Sequence, residues 1–277
     1  MLDFHVDKSL CTRCKECVRD CPAQVIVMSG DGVPSLTPEA EQNCLRCQHC
    51  LAICPTAALS ILGKQPGDSL TVAPDKLPTL DAMNHLIRGR RSIRRFKPKD
   101  LEPDLIQRLL DGAAYAPTGA NRRGLTFTVI DNGKVMKAIR QRTMEGIRSA
   151  IEAGAVPEHL MYLHAAVPAF FKYGADLVFR GAPHLLIVSA GPEALCPNED
   201  VVIALSTFEM LAVAAGVGTT WCGMLKMALE SAPELKPILG LPQDQTNYYA
   251  MLFGAPSIAY ARTVQREGSA IIQRLTN

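Results

Sequence analysis

The sequence predicts a chain of two parts, a short cysteine-rich module followed by a larger domain of mixed helices and strands. Three observations predict it. Four cysteines at gaps of two, two and three residues, then a proline, run from Cys11 to Pro22 and recur with the same gaps from Cys44 to Pro55. The stretch 63–80 shifts to prolines and polar residues with no helical period. Beyond it, apolar residues alternate between helical spacing and short continuous runs.

The cysteine spacing is C-x2-C-x2-C-x3-C-P, in which each tight run wraps three thiolates around one iron–sulfur cubane and sends its fourth to the other cluster. Cluster one is therefore assigned Cys11, Cys14, Cys17 and Cys54, and cluster two Cys21, Cys44, Cys47 and Cys50. Zinc would use C-x2-C pairs parted by a long spacer, which this is not. Ten cysteines also allow disulfides on count. The N-terminus MLDFHVDKSL is polar and lacks an apolar core, however. A reducing, cytoplasmic compartment follows as the expectation, and disulfides are rare there.

With 277 residues there is room for one small domain and one of ordinary size, and 48% hydrophobic residues support a packed core. A net charge of +2 argues against nucleic-acid binding and polybasic membrane contact. Residues 1–62 carry five basic and seven acidic residues, against 24 and 20 in the remainder, so the second part suits an anionic cofactor. The most apolar run, 201–217, is interrupted by Ser206, Thr207 and Glu209 and reads as a buried helix, not a membrane span.

In chain order, residues 1–62 are one repeat folded on itself, too short to fold without staples, which the clusters supply. Residues 63–80 read as a linker. A helix is expected from Asp81, with Asp81 as its N-cap. Five arginines within 88–95 then form a cationic cluster, with Ile93 and Phe96 packing between the charges. Such runs are usually solvated faces, but packed arginines are held by a phosphate or carboxylate. Leu105 to Ala116 has helical spacing and enters the small-residue loop 116–121, where a ligand can approach the backbone. Strands are expected over 125–130, 184–189 and 248–253, helices over 134–153 and 199–216, and a tight turn over 218–223 with the sole tryptophan. Residues 133–182 are the least legible, above all 154–181. The aromatics of 154–181 could line a substrate pocket but are read, with the histidines, as packing, and Cys196 and Cys222 as inert thiols.

No G-x-G-x-x-G follows a strand, and no P-loop or nucleophile elbow is present. A flavin is the cofactor that fits beside clusters, since it exchanges electrons singly or in pairs. Residues 1–62 resemble bacterial two-cluster ferredoxins. Residues 81–277 resemble the nitroreductase-like FMN flavoproteins, through RRSIRRF at 90–96, APTGAN at 116–121, GAPHLLIV at 181–188, GVGTTWCG at 216–223 and LFGAP with Arg262 near the end. The same fusion is known from anaerobes. Where the family often carries a Gln-Pro-Trp-like run, this chain has Arg123-Gly124-Leu125.

The resemblance implies an α+β fold with an antiparallel-rich sheet flanked by helices, and a homodimer with FMN at the interface. It implies that Arg90, Arg91, Ser92 and Arg94 cradle FMN, with Arg90, Arg262 and Arg266 at the phosphate and Arg94 near the N1/C2-oxygen edge. Pro117, Thr118, Gly119 and Asn121 would reach the flavin of the other subunit, and Trp221, Cys222 and Gly223 would contact it near the ring. No side chain is expected to act as a catalytic acid, base or nucleophile. The implied function is electron exchange between two 4Fe-4S clusters and FMN, with hydride transfer to a nitroaromatic, quinone or enone. NAD(P)H or an external redox protein would serve as electron partner. The alternative is a non-catalytic electron shuttle or redox sensor.

Overall fold

The computed structural model describes residues 1–242 and 244–276. Contacts divide the chain into two units. The first is Met1–Pro78 with Ala120–Arg122; the second is Thr79–Gly119 with 123–277.

The first unit has little regular structure. Strands β1 (His5–Val6) and β4 (Leu59–Ser60) pair antiparallel, as do β2 (Ile26–Met28) and β3 (Pro34–Leu36). Between them lie single-turn helices α1 (Glu16–Arg19), α2 (Ala40–Asn43) and α3 (His49–Ala52). Ladders this short are marginal alone. The core is small, built on Leu2, Val25, Ile26, Leu51, Leu59 and Ile61 together with the buried Cys17 and Cys50. The internal repeat shows in the backbone. Arg13, Lys15 and Gln24 take left-handed φ of 60°, 66° and 53°; their counterparts Arg46, Gln48 and Ala57 take 54°, 61° and 55°. Each such residue costs about 1–3 kcal/mol and persists only where its surroundings over-determine it. Residues 63–78 hold two 3₁₀ turns, Pro66–Asp68 and Pro74–Lys76.

The second unit is an α+β domain. Its sheet, ordered β5-β6-β8-β7, is antiparallel throughout: β5 is Leu125–Ile130, β6 His184–Ala190, β7 Gly218–Trp221 and β8 Asn247–Gly254. β6 is buried along its whole length because both faces are covered. Leu185 and Ile187 face one core, and Leu186, Val188 and Ala190 the other. Burial on both faces explains its continuous apolar run. Helices α6 (Gly133–Glu152), α7 (Met161–Tyr173) and α9 (Gly223–Ser231) contribute to the first core; α5 (Pro103–Ala113) and α8 (Pro197–Ala214) contribute to the second. α4 (Leu80–Gly89) leads the domain.

Two local readings change, and two segments gain detail. The cap of α4 is Thr79, whose hydroxyl accepts from the Ala82 amide at 3.2 Å; Asp81 instead lies in the first turn. The expected turn at 218–223 is mostly strand: β7 pairs with β8 (Thr219 opposite Phe253, Trp221 opposite Met251), and Cys222 starts α9. β-branched Thr219 and Thr220 suit that edge position. The segment 154–181 contains α7, with Pro168 inside it. Its Phe170 and Phe171 meet edge-on at 5.1 Å and pack on the core, while Tyr162 and Tyr173 are exposed. The histidine opening β6 is structural: His184 Nε2 accepts from the Leu101 amide at 2.9 Å, and burial lowers its pKa. Among the described residues no helix is long and apolar enough to cross a membrane.

Candidate functional site

The eight motif cysteines divide between two cavities. Cys11, Cys14, Cys17 and Cys54 line one; Cys21, Cys44, Cys47 and Cys50 line the other. Among the described residues no three metal-binding side chains converge as a single ion would require. Backbone amides already point at sulfur: Arg46 N donates to Cys44 Sγ at 3.4 Å, and Ala58 N to Cys54 Sγ at 3.3 Å. Burial raises the Cys17 pKa and pushes that of Cys50 up to about 12, so a thiolate there needs a cation at hand. Soft donors, four per cavity, set in strained loops fit an iron–sulfur cluster in each.

In the second unit the arginine cluster splits by burial. Ile93 is buried and its amide donates to the Thr219 carbonyl at 2.8 Å, while Arg94 is exposed. Ser92 makes a parallel bridge to Thr219. Arg90, Arg91 and Arg266 line one cleft of about 420 Å³ with Arg88, Ile87, Val264 and Glu267. The lining does not include Arg262, which is exposed. Arg88 pairs with Glu267. Arg90 pairs with Glu209 at 3.3 Å, so Arg91 and Arg266 are the cations of that cleft with no ion pair among the described residues.

The loop 116–123 is held from several sides. Gly119 N donates to Oδ1 of buried Asp200 at 2.9 Å. Arg123 N donates to the Thr118 hydroxyl at 2.9 Å, and Arg123 Nη2 to the Ala114 carbonyl at 2.9 Å. Pro117 is exposed. Asn121 is engaged within the first unit, donating to the Leu45 carbonyl at 3.0 Å. A Cβ on Gly119 would lie 3.0 Å from Cys196 Sγ, so the loop accepts glycine there for want of space. Asp200 was not singled out by sequence; its only signal was an acidic residue in the first turn of an apolar helix. Asp200→Ala is expected to lower stability by about 1–3 kcal/mol by leaving the Gly119 amide unpaired. An unchanged denaturant midpoint would show that this bond contributes nothing.

Trp221 meets Tyr249 edge-on at 5.3 Å and donates from Nε1 to Glu209 Oε2 at 3.2 Å. Cys222 is buried, donates to the Val178 carbonyl at 3.3 Å, and has a pKa raised to about 12 by burial, as an inert thiol would. A Cβ on Gly223 would come within 3.1 Å of the Tyr249 hydroxyl.

A cysteine-walled module and an α+β domain with an antiparallel sheet and an arginine-lined cleft define the class of the chain by its construction. The Nitroreductase family matches residues 87–255, and the 4Fe-4S dicluster domain matches residues 10–59. The chain belongs to the nitroreductase family and carries a 4Fe-4S dicluster domain before it. An NADPH-dependent oxidoreductase of Staphylococcus aureus (strain N315) is 23% identical over 179 residues, covering 64% of this chain. The match spans 66% of that relative's length, just short of two thirds. A nitroreductase with bound FMN from Bacteroides fragilis NCTC 9343 superposes with a TM-score of 0.56 at 21% identity, covering 69% of this chain and 98% of that one. A nitroreductase with bound FMN from Desulfitobacterium hafniense DCB-2 gives 0.52 at 22%, covering 69% and 97%. At these identities the likeness is one of fold.

Proposed function

We propose that the chain is an FMN-dependent oxidoreductase with a built-in electron-transfer module of two 4Fe-4S clusters, reducing a small organic acceptor of the nitroaromatic, quinone or enone class. The observation that carries the reading is the separation of eight thiols into two four-thiol cavities in a chain whose other unit has the nitroreductase fold. Bound FMN would supply paired-electron chemistry toward organic molecules and single-electron exchange with iron–sulfur clusters.

The protein's own residues bind and orient. Arg90, Arg91 and Arg266 present cations to the cofactor phosphate in the cleft they line. Arg94, with Ser92 beside it, offers a charge to the ring edge, and Arg262 lies on the same exposed tail as Arg266. Trp221, Cys222 and Gly223 hold the backbone near the ring, the thiol of Cys222 staying protonated. Pro117, Thr118, Gly119 and Asn121 complete the site in a homodimer with FMN at the interface. The proposed division is a ferredoxin domain at 1–62, a linker at 63–80 and a flavin domain at 81–277. NAD(P)H or an external redox protein is the electron partner, and a reducing cytoplasm suits the thiol ligands.

Anaerobically purified protein is expected to contain FMN, about eight iron per chain and no stoichiometric zinc. With NADH, NADPH or reduced ferredoxin as donor it should reduce at least one of the three acceptor classes. Zinc in place of iron, or absence of flavin, would end the reading. Flavin that is reduced but never reoxidised by an organic acceptor would leave a shuttle or sensor.

A further inference from the structure

Glu209 sits mid-way along α8 at 5% exposure, beside Leu205, Phe208 and Ala212, which are fully buried. An isolated carboxylate there would cost several kcal/mol. It is not isolated. Oε1 accepts from Arg90 Nη1 at 3.3 Å and from the Thr219 hydroxyl at 3.2 Å; Oε2 accepts from Trp221 Nε1 at 3.2 Å. The three donors come from two segments remote in sequence, the arginine cluster and β7. The backbone joins the same segments through the Ile93 amide and the Thr219 carbonyl.

We propose that Glu209 is the positioning residue of the flavin site, fixing Arg90 at the phosphate cleft and Trp221 near the ring in one frame. The proposal rests on the functional reading above. A guanidinium offers five N–H donors. Among the described residues, Arg90's side chain spends one on Glu209 and makes no other hydrogen bond, while it lines the cleft with Arg91 and Arg266. The carboxylate therefore restrains the side chain without occupying the donors an anion would use. Packed hydrophobic residues in place of a whole buried ion pair are often neutral for stability, so burial alone does not call for the pair. What the carboxylate adds is orientation of Arg90, which a packed Leu or Met cannot supply.

The test is the FMN dissociation constant of folded, iron-replete protein. E209Q keeps the volume and removes the charge; it is expected to bind FMN about tenfold more weakly, the scale of one charge-assisted hydrogen bond. E209D keeps the charge and should recover most of that loss. In an R90A background, E209Q should weaken binding no further, because its effect runs through Arg90. Thr219→Val, which removes one donor and leaves the carboxylate in place, should weaken FMN about threefold, a smaller loss than a charged bond; it supplies the reading if E209Q does not fold. Parent-like FMN affinity in E209Q, or losses from E209Q and R90A that multiply, overturns the proposal; so does an unaffected Thr219→Val where E209Q fails to fold. A parent protein that holds no FMN sinks the functional reading, whereas FMN retained equally by parent and E209Q sinks only this inference.

Discussion

Cys47→Ala protein is expected to hold no more than about four of eight iron atoms per chain and to lose cooperative folding of the first unit, while FMN stays bound. Cys47 lines the cavity with Cys21, Cys44 and Cys50. A cubane left with three thiolates is open to solvent, and its binding energy is folding energy for a module this small. The apolar core has few members, two of them cysteines, and the sheets are two and three residues long. The left-handed Arg46, Gln48 and Ala57 then lose what holds them. The damage is expected to reach cluster one as well, since its fourth thiol, Cys54, follows α3 in the second repeat. Iron analysis, flavin absorbance and proteolysis of residues 1–62 check this together. Loss of flavin in step with iron would show that the two cofactor modules do not fold independently.

Arg90→Ala should do the reverse, leaving iron unchanged and weakening FMN by about ten- to a hundredfold. Two losses combine. A charge-assisted contact to phosphate is worth about 1.5–3 kcal/mol. Removing Arg90 also strands Glu209, which is 5% exposed, and breaking a buried pair costs about 3–5 kcal/mol. The pair is 21% exposed on the arginine side, which favours the lower end of that range. Against a typical total stability of about 5–15 kcal/mol, the second unit should unfold at distinctly lower denaturant as well. Arg90→Lys separates the effects, since a lysine keeps the charge beside Glu209 but loses the planar fork. Parent-like FMN affinity in the alanine variant would remove Arg90 from the site.

Much of the architecture was legible because it is written in local periods. The cysteine gaps name their chemistry without any fold, since three thiols within seven residues reach one cubane whatever surrounds them. Strands 125–130, 184–189 and 248–253 and the helices near 105–116, 134–153 and 199–216 were readable from apolar spacing, and each observed element lies within a few residues of those bounds. Where period failed, so did the reading. Pro168 and flanking glycines masked α7, and the short Gly218–Trp221 strand looks like a turn until β8 supplies its partner.

By itself the sequence determined the two-module plan, the doubled four-cysteine motif and the arginine cluster, because each depends on neighbours along the chain. Only the tertiary structure decided which arginines share a cleft, that Arg262 lies outside its lining, that Asp200 holds the Gly119 amide, and that Glu209 joins Arg90 to Trp221. In the sequence Glu209 is one charge interrupting an apolar helix. Its meaning comes from donors brought to it by the sheet, and burial makes each of those contacts consequential, because a carboxylate out of water must have partners.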